Sequence, residues 1–174
     1  MRGMIAMGLL ALLLSACGGG DDDVPEGREG LSVIKTRADR GLAEATDAVG
    51  AVVRAEPRDV RGAYVQAGSS GSTLLYAYEA QATFRTQQPV DPEEVRTTLV
   101  DLGLETSEVL DGLDGGRSIT ASADDHVVSV DLDAGRTRLT LTSQTSGAEL
   151  QASTLSTEEK ADLREPKPLS LDLD

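Results

Sequence analysis

Asp125 and His126 are the neighbours in this chain best suited to proton chemistry at neutral pH. His126 is the only histidine, and a carboxylate beside it would favour the imidazolium and aim the ring, as a general base requires. At a turn before a strand, though, a lone histidine reads more simply as a surface residue. A serine triad would need this same ring, and Gly68-Ser69-Ser70-Gly71 only approximates a Gly-x-Ser-x-Gly elbow. Asp131-Leu132-Asp133-Ala134-Gly135 begins like a calcium loop but lacks a third oxygen ligand at the usual spacing and the closing glutamate. A hairpin turn with Asp131 facing solvent explains it better, and Asp111 and Asp114 among their glycines read the same way. Asp21, Asp22 and Asp23 read as solvated spacer. The expectation is no catalytic residue, no metal, no cofactor and no enzyme.

Other function classes fall to composition. The chain carries 30 acidic against 16 basic residues, a formal charge of −14, and only four aromatic side chains. Nucleic-acid readers need a basic surface with stacking rings, so nucleic acid is excluded as a partner. The glycines at 18–20 precede no strand–helix unit and no Gly-Lys-Ser/Thr, so they cradle no phosphate. The four aromatics, Tyr64, Tyr76, Tyr78 and Phe84, all fall within one stretch. Clustered rings form either a binding patch or a core, and core is favoured. A ligand pocket, if the fold holds one, is expected at Tyr76, Tyr78, Phe84 and Leu99.

The N-terminus carries an address. Arg2 gives a positive start, residues 4–14 are apolar but too short to span a bilayer, and small Ser15 and Ala16 lead into Cys17, the only cysteine. Leu14-Ser15-Ala16-Cys17 resembles the bacterial lipobox at all four positions. The resemblance implies signal-peptidase recognition at Leu14, Ser15 and Ala16, thioether attachment of diacylglycerol to Cys17 as a palmitate-type lipid anchor, cleavage before Cys17, and often acylation of the new amino group. Two or three acyl chains hold a protein at a membrane where one is marginal. With so acidic a surface, the lipid rather than a basic patch must be the anchor. In layout the chain is similar to small lipoproteins of high-GC Gram-positive bacteria that have no assigned activity. The expected place is the cell membrane, lipid-anchored on the extracytoplasmic face.

The elements that must carry any site follow from periodicity. Residues 1–16 read as signal peptide and 17–30 as the lipidated cysteine with a flexible acidic linker. Residues 31–55 repeat apolar side chains at three- and four-residue steps, predicting a long helix ended by Pro57. Residues 60–67 and 72–86 read as hairpin arms around a turn at 68–71. The second arm alternates Leu74, Tyr76, Tyr78, Ala80, Ala82 and Phe84 with mostly polar neighbours. Asp91 as N-cap, Pro92 in the first turn, an acidic capping box to Glu94 and a staple of Val90 on Val95 predict a second helix. Val95, Leu99 and Leu102 should line its inner face, and Gly103 should stop it. A short strand is expected at 107–110, then strands at 117–123, 126–132 and 137–145. Residues 149–174 read as a peripheral extension. Ser156 and Glu159 could cap a helical turn there, and Leu169, Leu171 and Leu173 alternate as a strand would.

The resulting expectation is an α+β fold: an antiparallel sheet with two helices packed on one face, in the order αββ-αβββ, as a globular domain over 31–148. Three functions suit it. The first is a non-enzymatic, exported, lipid-anchored envelope protein that binds another envelope component through an exposed sheet face or the C-terminal tail. The second is a carrier for a small or lipidic ligand held between helices and sheet. The third, a hydrolase using His126, is the weakest.

Overall fold

The computed structural model describes residues 26–112, 114–145 and 147–171. Leu14, Ser15, Ala16 and Cys17 lie outside the described residues, as do linker positions 17–25 and Leu173. The fold is α+β, with three α-helices and a nine-stranded antiparallel sheet among the described residues. That is one helix and four strands more than the predicted order contains. No helix among the described residues is long and apolar enough to cross a membrane.

Helix α1 spans Gly27–Val53, starting inside the stretch read as linker. Leu31, Ile34, Ala38, Leu42, Ala45 and Val49 form the predicted stripe, and all are buried. Fully burying each large apolar side chain stabilises by about 1.5–3 kcal/mol, enough to offset the helix glycines. Arg54 ends α1 in a left-handed conformation, φ 54°, with its N–H on the Gly50 carbonyl.

Strands β1 (Arg58–Ser70) and β2 (Thr73–Arg85) form the long hairpin. The turn falls at Gly71 and Ser72 rather than at 68–71, with Gly71 at φ 58°. A register shift between Gln66 and Gly68 absorbs one extra residue on β1, so the arm continues through Ser70. On β2, Tyr76, Tyr78, Ala80, Ala82 and Phe84 all point into the core.

Helix α2 (Pro92–Asp101) begins as its local signals require. The Asp91 carboxylate accepts from the Glu93 N–H at 3.0 Å, and Val90 and Val95 are both buried. The cap runs through Glu93 rather than Glu94, because a second carboxylate folded back on Asp91 would meet like charge. Leu102, expected inside, is 42% exposed. The helix has ended at Asp101, Gly103 takes φ 83°, and Leu104 packs inward instead.

The single strand expected at 107–110 is instead two short pairings, β3 (Glu105–Thr106) and β4 (Leu110–Asp111), both on β5 (Arg117–Ser122). Between Thr106 and Leu110 the chain is one residue longer than the β5 segment it faces, so the ladder breaks. Strands β6 (Val127–Leu132) and β7 (Arg138–Gln144) follow β5 as a meander, and β7 pairs with β2.

The C-terminal stretch is built into the fold. Strand β8 (Ala148–Gln151) pairs with β2, and Leu150 and Leu155 are buried. Helix α3 (Thr157–Arg164) carries a full Ser156–Glu159 capping box and is two turns long rather than one. Strand β9 (Lys167–Pro168) pairs with β1 at Arg61 and Gly62, and Leu169 and Leu171 pack against the core. The sheet order is β3-β5-β6-β7-β2-β1-β9.

Candidate functional site

Three places have the residue types that a site needs. The first is His126. Its strand parity with Val128, Val130 and Leu132 turns it inward, so the expected surface histidine is 8% exposed and lies beneath α1. Its Nδ1 lies 2.7 Å from Asp125 Oδ1. Arg40 of α1 donates to the other Asp125 oxygen at 2.6 Å, with Arg37 4.0 Å away. The hydrogen bond from His126, with the charges of His126, Arg40 and Arg37, holds the Asp125 carboxyl below its ordinary range against a smaller burial effect.

Ser143 lies beside the same ring, since its Oγ and His126 Nε2 both face the Cα of Gly41. Asp125, His126 and Ser143 are thus close together and of the residue types that make a catalytic triad. The Ser143 hydroxyl, however, has no hydrogen-bond partner among the described residues and is fully buried. A nucleophile needs both the base and a substrate within reach. Arg40, Asp125 and His126 tie α1 to the sheet through two hydrogen bonds.

The second place is the aromatic core. Tyr76, Phe84 and Leu99 are fully buried and Tyr78 is 2% exposed, all in one apolar cluster with α1, α2 and the inner sheet face. Tyr78 also packs edge to face on Tyr64, centroids 4.7 Å apart. Its ring end lines a cleft with Tyr64, Lys35 and Asp39. Burial, then the charge of Asp39, pushes both tyrosine hydroxyls up, so they stay protonated. The sequence carries one signal for this cleft, the i,i+4 pair Lys35–Asp39. The chain reversals that bring Tyr64 and residues 162–170 beside it leave no local trace.

The third place is the outer face of the sheet. Registers align Thr120, Ser129, Thr142, Gln81 and Arg61 in one row across β5, β6, β7, β2 and β1. A parallel row runs Ser118, Asp131, Thr140, Thr83 and Arg58. Most of these side chains are part-exposed or exposed, in contrast to their buried inward neighbours. Burial raises the carboxyl pKa of both Asp131 and Glu79 on this face. Among the described residues, no three His, Cys, Asp or Glu side chains converge as metal ligands.

No protein-family model matches the chain, and no curated protein or solved structure matches it.

Proposed function

We propose that this chain is a non-enzymatic lipoprotein of the extracytoplasmic membrane face, anchored through Cys17, whose open sheet face binds another component of the envelope. In this reading α1 and α2 cover one face of the sheet and leave the other free. The observation that carries it is the outer face itself. Ten side chains in two rows, all of them Ser, Thr, Gln, Arg or Asp and all but the buried Thr83 at least part-exposed, span five strands. Such a surface offers donors and acceptors at regular spacing without the aromatic anchors of an obligate interface. The filled inner core favours this over a carrier with a large apolar chamber.

Two experiments test it. Cys17→Ser should release the protein from the membrane fraction or leave the precursor uncleaved; unchanged processing and association would sink the anchor. A photo-crosslinking residue at Thr142 should yield one defined adduct in cells of the source organism, whereas the same residue at Val100 on α2 should not. Equal labelling from both positions, or none from Thr142, would remove the sheet face as the contact.

A further inference from the structure

A cleft of about 360 Å³ opens between α1, β1, β2 and the strap formed by α3 and β9. Small ligands occupy cavities of roughly this size and upward. Its floor is the Tyr64–Tyr78 pair, and Leu163 and Leu169 supply apolar wall. Gly62 keeps the floor in place, because a Cβ there would come within 2.1 Å of the Tyr78 hydroxyl oxygen.

The polar groups of the cleft are unevenly matched. Lys35 bonds one oxygen of Asp39 and lies 5.3 Å from the Tyr78 ring centroid. The other oxygen, Asp39 Oδ1, is buried and has no hydrogen-bond partner among the described residues. A buried acceptor left without a donor costs about 1–3 kcal/mol, more when charged. Lys167, the second cation of the lining, is bonded to Asp162, while Glu165 adds a further carboxylate. Both cations of the lining are thus paired with carboxylates, and Asp39 Oδ1 is left without a donor, on a chain whose formal charge is already −14.

We propose that this cleft binds a small organic ammonium, a primary amine on a short apolar chain. The ammonium donates to Asp39 Oδ1, and the apolar chain lies on the tyrosine rings between Leu163 and Leu169. Aromatic faces attract such cations as well as their apolar stems. This site is independent of the outer sheet face and stands or falls without it.

The chain has no tryptophan and only three tyrosines, two of which line the cleft, so tyrosine fluorescence reads it directly. The full chain is titrated with hexylamine, and in parallel with hexanol and hexanoate. The expected result is a saturable response to hexylamine, weakened at least about tenfold in Asp39→Asn and absent for hexanoate, a tenfold change being about 1.4 kcal/mol. If Asp39→Asn fails to fold, Leu163→Arg replaces it: a guanidinium on the half-buried strap position should abolish amine binding while the melting transition persists. No saturation by about 10 mM hexylamine, where binding would be weaker than millimolar, overturns the proposal and leaves water as the cleft's occupant. An equal response to hexanoate, or an unchanged affinity in both variants, overturns it too.

Discussion

The imidazole of His126 fills the space that a side chain at position 41 would need. A Cβ on Gly41 would come within 2.4 Å of the ring carbon Cδ2 and 2.9 Å of Ser143 Oγ. Glycine in mid-helix ordinarily costs about 1 kcal/mol relative to alanine. Here it lets α1 descend onto the sheet directly above a buried polar ring, which is bonded to Asp125, itself held by Arg40 of the helix.

Gly41→Ala should therefore destabilise the fold by about 1–3 kcal/mol, the usual cost of overpacking, despite its gain in helix propensity. Adding His126→Ala should return part of that loss, because the obstructing ring is gone. Urea unfolding of the two single variants and the double variant measures the coupling. A stabilised Gly41→Ala protein would show that α1 does not sit this close.

Phe84→Ala should cost about 3–5 kcal/mol and Leu99→Ala about 2–5 kcal/mol, since both side chains are fully buried in the one core. A ligand chamber at these positions would behave differently, tolerating truncation with losses under about 1 kcal/mol because no close-packed neighbour would be lost. Thermal melts in the absence of added ligand distinguish the two.

Stability should respond to acid in two opposed ways. The Asp125 carboxyl is lowered in the fold by its hydrogen bond with His126, so it binds protons less readily than in the unfolded chain. Its contribution is present above the unfolded pKa, near 3.9, and is lost as pH falls through the lower folded value. Burial raises Asp131 and Glu79, so the fold disfavours their charged forms, and their effect on stability improves as pH falls through their raised values. Asp131→Asn should accordingly raise the urea midpoint at neutral pH, and Asp125→Asn should lower it. Reversal of either sign would contradict the burial and pairing described above.

Ser156→Ala should cost the α3 cap about 1 kcal/mol. The Glu159 carboxyl, pushed down to about 2 chiefly by its hydrogen bond with Arg28 and then by those of Ser156, would lose part of its holding. Because no residue of α3 is buried, the effect should be local. Hydrogen exchange should show faster amides across residues 157–164 with β2 unchanged, and uniform acceleration would mean that the strap is coupled to the whole fold.

Much of this fold was legible where a signal is local. The apolar stripe of α1 required an α-helix whatever it packed on, and Asp91, Pro92, Val90, Val95 and Gly103 marked both ends of α2 within a few residues. The alternation of β2 named its buried face. Leu102 was misplaced because periodicity cannot tell the last turn of a helix from the residue just beyond it. The hairpin turn moved because a bulge at residue 67 is indistinguishable in sequence from the loop that glycine and serine suggest.

By itself, then, the sequence determined the α+β class and the core-facing residues of α1 and β2. Each depends on side-chain periodicity, or on residues close together in the chain. Only the tertiary structure decided that β7 pairs with β2, that residues 148–171 complete the sheet and strap β1, and that His126 lies buried against Gly41 and Ser143. It also decided that Asp39, Tyr64 and Tyr78 share a cleft with residues 162–170. These contacts join positions tens of residues apart. Their partners are chosen by how separate apolar faces close over one core, which no local spacing encodes.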